Sequence, residues 1–426
     1  MQKRKNSIDS RIDYGLILPV FILLVIGIMA LYVALYHDIN ELDLTTMMIR
    51  QVAWIGTGIV LVVIFIHMSS KFLWKMTPVG YVIGLGLMVL PLFFYDAQTA
   101  VATGSRNWVA FNGTNLFQPS EFMKIPFILL MARVITQHNA YYTNRHMRTD
   151  FWLLLKMGLV VVPVMGLLAA QSDFGTGLVY LAIFFGMMLL SGVSWKILGP
   201  MFALIAAFGG FLIYLVFTDV GREILLRLGF AQFQLARIDA WIHPFADTSG
   251  SSFQQSRALL AIATGGLFGQ GFNVSQIYIP VRESDMIFTV IGENFGFVGS
   301  TIVVFLYFLL IYRMIKVTFE SNNQLYTYIS TGVIMMILFH VFTNIGANIG
   351  LLPLTGIPLP FISQGGSAMI SNLVGVGLVL SMRYHMKPDF ELWKEGRNNP
   401  LEKQQTRATK QVTSRAARHK AVQNKV

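Results

Sequence analysis

Cysteine is absent from the 426 residues. That excludes disulfides, thiolate nucleophiles and any Cys-ligated zinc or iron–sulfur site. Charge is scarce: 12% of residues are Asp, Glu, Lys or Arg, where a water-soluble domain carries about 25%. Histidine is limited to 8, with no His-x-x-x-His or His-Glu-x-x-His pairing, so the ligand sets of zinc hydrolases are missing. No Walker sequence occurs, and no internal repeat supports an inverted-repeat transporter.

What is abundant is apolar. Hydrophobic residues make up 54% of the chain and the mean hydropathy is +0.60. A polytopic membrane protein fits these values, and a soluble enzyme, a disordered chain or a fibre does not. Apolar runs of about 20 residues mark ten spans. They lie at 14–36, 49–67, 77–95, 119–137, 151–170, 174–191, 197–217, 286–312, 327–348 and 367–385. The expected fold is therefore all-α, an integral membrane protein of about ten transmembrane helices. The first span follows Lys3, Arg4, Lys5 and Arg11 like a signal peptide. Its apolar run is too long and no small-residue cleavage site follows, so it reads as an uncleaved anchor.

The formal charge of +11 suggests nucleic acid until the positions are counted. With the amino terminus in the cytoplasm, 23 Lys/Arg fall on cytoplasmic segments, 6 fall outside, and Arg50, Lys124 and Lys156 lie within spans. That is a positive-inside pattern with both termini cytoplasmic. The organisation expected is a cytoplasmic stretch 1–13, a membrane domain 14–385 with a long extracellular loop over about 218–285, and a basic, disordered cytoplasmic tail 386–426. The tail has no aromatic interleaving, so proximity to an anionic leaflet explains it better than nucleic acid does.

Ionisable residues at membrane depth are costly and mark function. Five segments carry them to the expected outer end. Arg106-Asn107-Trp108 leads into Gln118-Pro119-Ser120-Glu121 and Lys124, where proline suits a helix start. Glu121 and Lys124 share a helical face, as a site pair or as an ion pair that aligns helices. Asp173, in Gln171-Ser172-Asp173-Phe174-Gly175, reads as a helix cap before it reads as catalytic. The loop from Asp219 to Asp285 is too long for a mere connection, and Arg222–Ile242 has the spacing of an interfacial amphipathic helix. Arg282, Glu283 and Asp285 stand just outside an apolar span. Asp285, the last polar residue before it, is a candidate general base or an interfacial cap. Glu293, two turns further on, needs a partner of its own. Finally, residues 353–367, with Ser363 and Gln364, hold too many prolines and glycines for a regular helix and must be buried in protein or line a cavity. Gly265-Gly266-Leu267-Phe268-Gly269-Gln270-Gly271 reads as a turn or hinge rather than a phosphate cradle.

Taken together, these segments are similar to the SEDS family (shape, elongation, division and sporulation proteins), and the overall similarity is to its elongation branch rather than its division branch. The motifs that carry the resemblance are Arg106-Asn107-Trp108, Gln118-Pro119-Ser120-Glu121 with Lys124, Gln171-Ser172-Asp173-Phe174-Gly175-Thr176, Ser191-Gly192-Val193-Ser194-Trp195, the glycine-rich segment 265–271, Pro280-Val281-Arg282-Glu283-Ser284-Asp285-Met286-Ile287-Phe288 and residues 358–367. They run in family order over about residues 12–385. The resemblance implies a peptidoglycan glycosyltransferase that polymerises lipid II at the outer face of the bacterial cytoplasmic membrane. It implies that Asp285 is catalytic, and that Arg106, Glu121 and Lys124 serve the site. It also implies a class B penicillin-binding protein as partner, with other membrane proteins of the elongation complex and no nucleic acid. The family commonly has two acidic residues where this chain has Glu293-Asn294, and Tyr and Gln where it has Phe253 and Arg257.

The chemistry required suits such a site. One carboxylate deprotonates the acceptor sugar hydroxyl, and the reaction inverts the anomeric carbon. A pyrophosphate leaving group needs charge neutralisation more than an acid. Arg106, Lys124 and Arg282 are the cations expected to supply it, with Asp173, Ser363 and Gln364 in support. A divalent cation, Mg or Mn, is compatible with this set, and no organic cofactor is expected. The alternatives are a lipid II flippase and a non-catalytic scaffold.

Overall fold

The computed structural model describes residues 12–38, 41–111, 113–227, 232–321 and 323–385. The expected disordered tail and the amino-terminal Lys3, Arg4, Lys5 and Arg11 lie outside the described residues.

Asp13 starts the first span: its carboxylate accepts the Leu16 backbone N–H at 3.1 Å, and α1 (Tyr14–Tyr36) follows. The other long helices are α2 (Glu41–Ile66), α3 (Ser70–Val89), α5 (Pro119–Tyr141), α6 (Met147–Ala170), α7 (Phe174–Leu190), α8 (Trp195–Val216), α12 (Ile287–Ser321), α13 (Gln324–Asn348) and α14 (Gly366–Tyr384). Each overlaps one of the ten expected spans. Eight are long and apolar enough to cross a membrane. The other two are α5, which carries Glu121, Lys124 and Arg133, and α7, which has 17 residues. The chain is an all-α, multi-pass membrane protein.

The core forms around α13 and α14, whose apolar windows are 67% and 83% buried, while that of α8 is 6% buried. Such helices have no apolar/polar sidedness, because lipid and protein interior are both apolar. Met, Ile and Leu from α5, α7, α12, α13 and α14 fill one continuous core. On α8 only Leu198, Leu215 and Val216 are buried.

Between α3 and α5 the chain makes a short helix, α4 (Ala97–Thr103), and a hairpin, β1 (Val109–Phe111) antiparallel to β2 (Thr114–Phe117). The long connection 219–285 folds into α9 (Asp219–Arg227), α10 (Gln232–Ile242) and α11 (Phe253–Gly265). The segment expected as an amphipathic helix over 222–242 is helical in α9 and α10, and residues 228–231 between them lie outside the described residues.

One expected span differs in kind. The run 286–312 is not one straight helix, because α12 breaks at Gly296, whose φ of 64° and ψ of −157° only glycine adopts without strain. The glycine-rich segment 265–271 fills the break. Gln270 N and Gly271 N donate to the carbonyls of Glu293 and Asn294, and Phe297 N and Val298 N donate to those of Gly266 and Leu267. Two carbonyls and two N–H groups beside the break thereby find protein partners, as a dry setting demands. Glu293 acquires its partners here too. Its Oε1 accepts the backbone N–H groups of Gln276 at 2.8 Å and Ile277 at 3.3 Å.

Candidate active site

The segment before α12 is held from three sides. Arg282 is 1% exposed and points at α1. Its Nε donates to the Ala34 carbonyl at 3.0 Å, Nη2 to Asp38 Oδ1 at 2.9 Å, and Nη1 to the Ser275 hydroxyl. On the second side, the irregular run 353–365 lies across the segment. The Ser363 hydroxyl donates to the Ser284 carbonyl at 2.5 Å while accepting Leu359 N, and Gln364 N donates to the Glu283 carbonyl at 2.9 Å. Gln51 of α2 anchors that run through the Ser363 carbonyl at 3.3 Å. On the third side, α13 presents two amides. Asn344 Nδ2 reaches the Asp285 carbonyl at 2.8 Å and the Ile357 carbonyl at 2.9 Å, and Asn348 Nδ2 reaches the Asp285 carbonyl at 2.9 Å.

The backbone of Asp285 is thus fixed, while Oδ1 of its carboxylate is shielded from solvent and has no hydrogen-bond partner. Burial pushes the carboxyl up to about 6. Its own backbone N–H and Arg237 pull it down, and Glu283 adds to the rise. Oδ2 faces Gly356, in the left-handed region at φ 70°, where a Cβ would come within 3.8 Å of it.

A second polar cluster adjoins through Thr355, whose carbonyl sits 2.8 Å from where a Cβ on Gly175 would be. Asp173 caps α7, with Oδ1 accepting Thr176 N at 3.2 Å. Its Oδ2 accepts amide N–H groups from Asn107 at 2.9 Å and Gln118 at 3.0 Å. Gln118 N donates to the Ser367 hydroxyl, which ties this cluster to the start of α14. Arg106 is exposed. Its backbone N–H donates to the Gln171 carbonyl at 2.8 Å, and its guanidinium lies 4.7 Å from the Tyr95 ring centre.

Glu121 and Lys124 form a buried pair at 2.6 Å, one turn inside α5. A third member is His340 of α13. Its Nδ1–H donates to the Met336 carbonyl at 2.6 Å, which leaves Nε2 to accept from Lys124 Nζ at 3.0 Å. His340, Asn344 and Asn348 are spaced by four, on one face of α13. That face joins the Glu121–Lys124 pair to Asp285.

All five expected segments therefore meet at one end of the bundle. Two of the expected cations are differently placed. Arg282 spends its charge on Asp38 and braces α1, and Lys124 spends its charge on Glu121 and His340. A cavity of about 600 Å³ opens beside Ser284 and Gln364, lined also by Arg50, Gln51, Trp54, Trp108 and Asn115. Arg50 and Arg106 have no carboxylate within 4.0 Å among the described residues. The sequence reading left Arg50 without a role and did not single out His340, Asn344 or Asn348. Polar side chains at intervals of four in an apolar span were the signal available.

The departures from the family pattern also find their places. Asn294 Nδ2 donates to the carbonyls of Val274 and Val290, which a carboxylate could not do. Arg257 lies over the Phe253 ring at 5.2 Å.

A profile of the FtsW/RodA/SpoVE family, described as cell cycle protein, matches residues 14–388. Peptidoglycan glycosyltransferase MrdB of Escherichia coli is 30% identical over 380 residues, covering 88% of this chain and 94% of that protein. Stage V sporulation protein E of Bacillus subtilis is 30% identical over 376 residues, covering 87% and 96%. Among solved structures, RodA of Thermus thermophilus superposes with a TM-score of 0.60 at 26% identity, covering 88% of this chain and 98% of that one. A chain from a study of how a peptidoglycan synthase complex coordinates polymerization and crosslinking superposes with a TM-score of 0.69 at 26% identity, with the same coverage.

Proposed function

The chain belongs to the FtsW/RodA/SpoVE family, it is a peptidoglycan glycosyltransferase, and we propose that Asp285 is its general base. The observation that carries this reading is a fixed backbone bearing a partly desolvated carboxylate with one oxygen, Oδ1, left without a partner. A carboxyl raised to about 6 is ionised at neutral pH yet more basic than an ordinary aspartate, as proton abstraction requires. The acceptor hydroxyl of lipid II gives its proton to Asp285 as its oxygen bonds to the anomeric carbon of the growing strand. The bond from that carbon to pyrophosphate breaks on the opposite face, so the configuration inverts.

Arg106 and Arg50 are the cations with charge to spare for the departing pyrophosphate, and Arg282 and Lys124 act by positioning. A divalent cation, Mg or Mn, fits as a visitor rather than a resident. No cluster of three or more His, Asp or Glu side chains that could hold one exists among the described residues. A divalent cation arriving with the substrate pyrophosphate would neutralise the leaving group.

The charge asymmetry supports a location of the Asp285 end at the outer face of the cytoplasmic membrane. Both sugar substrates are lipid-anchored and would arrive sideways through the bilayer, which accounts for an enzyme built almost wholly of membrane spans. A class B penicillin-binding protein is the partner we infer, in keeping with the synthase-complex neighbour, and wall elongation is the process. The test is glycan-strand synthesis by the purified protein from lipid II in detergent. No membrane remains to be crossed, so strand formation excludes the flippase and scaffold readings. Failure of the protein with its partner bound would overturn the enzymatic one.

A further inference from the structure

At the end of α5 remote from Asp285, roughly 30 Å along the helix axis from Pro119, a second cavity of about 530 Å³ lies between α5 and α6. Its apolar side is Val134 and Leu159, and its polar side is Gln137, His138, Tyr142 and Lys156. None of these takes part in the site described above.

Lys156 stands more than two turns into α6, within the apolar run that follows Arg148 and Asp150. No carboxylate lies within 4.0 Å of it among the described residues. A cation at that depth is costly unless it serves something. Its ammonium turns back along α5, 3.4 Å from His138 Nδ1 and 5.9 Å from the Tyr142 ring centre. An ammonium only donates, so Nδ1 accepts and the ring proton sits on Nε2. His138 is 2% exposed, and its Nε2 is shielded from solvent beside the Thr149 backbone. Arg145 also faces His138 but is committed to Asn139, the Ser191 carbonyl and, at 4.0 Å, Asp150. Asp150 in turn accepts Ser194 N at 2.8 Å. The local charge is therefore positive. Lys156 Nζ, a donor without a matching anion, stands beside an apolar slot, and His138 holds it there through Nδ1.

We propose that this cavity binds an anionic phospholipid, with its phosphodiester on Lys156, which His138 positions, and an acyl chain against Val134 and Leu159. Such a basic pocket between helices is where lipid headgroups dock. The positive-inside orientation puts it in the cytoplasmic leaflet. The site is independent of the transferase chemistry at the other end of the bundle.

Native mass spectrometry of the delipidated full chain in detergent tests this, with phosphatidylglycerol, phosphatidylcholine and inorganic phosphate as probes. Phosphatidylglycerol should be retained about five-fold more than phosphatidylcholine, the preference expected per basic residue engaged. Lys156→Met, at an exposed position where folding is not at risk, should bring the two lipids level. Lys156→Arg should keep the preference, and Lys71→Met, a cation elsewhere, should leave it unchanged. Equal retention of the two lipids by the unaltered protein would overturn the proposal. So would a preference that survives Lys156→Met. Displacement of phosphatidylglycerol by a tenfold excess of inorganic phosphate would show a free-anion site instead.

Discussion

A general base and a brace can both be carboxylates, and at Asp285 and Glu293 the difference lies in what meets the oxygens. Glu293 Oε1 accepts two backbone N–H groups, whereas Asp285 Oδ1 meets none. Replacing Asp285 by Asn should lower strand synthesis by about 10²–10⁴-fold, and Glu283→Gln by less than about ten-fold. Wild-type rates from Asp285→Asn would show that the base lies elsewhere. With the carboxyl at about 6, kcat/KM should fall on the acid side of that pH as the base takes up a proton. The same rise has a stability consequence. The folded state holds the proton more tightly than the unfolded chain, so Asp285 costs stability once pH exceeds its unfolded value near 4, in full above about 6. Asp285→Asn should therefore melt higher than the parent at pH 7.5, by on the order of 2 kcal/mol, and the gap should close as pH falls towards 4.5. A thermal-shift series across that range checks the sign.

The Glu121–Lys124 pair gives a second residue-scale test. Lys124→Met leaves a buried carboxylate whose Oε2 already lacks a partner, so loss of protein and loss of function could be confused. Combining it with Glu121→Gln removes the buried charge. The double variant should reach near-normal amounts in the membrane and still fail to make glycan. Normal synthesis by it would reduce the pair to a helix-aligning role.

At the scale of elements, the site depends on a helix that breaks on schedule. The break at Gly296 and the turn 265–271 interlock so closely that a Cβ on Gly296 would sit 2.4 Å from Gly269 N and 2.7 Å from the Leu267 carbonyl carbon. Backbone on both sides has nowhere to move, and the left-handed φ adds strain. Gly296→Ala should cost more than about 3 kcal/mol, read as a collapse of folded protein in the membrane fraction. Gly158→Ala, in a helix with open space around it, should be neutral or slightly stabilising. The sequence marked the glycine-rich segment as a turn but did not say that the turn completes another helix's hydrogen bonding. That relation spans about thirty residues and exists only once the two segments pack.

At the scale of the whole molecule, the ten long helices among the described residues set two ends apart, one carrying Asp285 and the other the Lys156 cavity. Because the chain has no cysteine, single substitutions can be labelled without background. Ser249→Cys, exposed near Asp285's end, should react with an impermeant maleimide in intact cells. Thr143→Cys, exposed at the other end, should react only after lysis. Labelling of position 143 in intact cells would invert the orientation and move the site to the wrong side for a wall polymerase.

The spans were legible because twenty consecutive apolar residues cross a bilayer by the sum of their transfer free energies, a local property that needs no fold. The ionisable residues near one end were legible for the same reason, since each is an exception within such a run. Their assignments were not. Arg282 looked like a phosphate ligand and instead meets Asp38, some 244 positions away in the chain. Lys124 meets His340 across 216 positions. Asn344 and Asn348, which nothing in the sequence singled out, hold the carbonyl of Asp285. Which polar groups satisfy one another at membrane depth depends on which helix faces touch, and between apolar helices that is decided by close packing rather than by any periodicity along the chain.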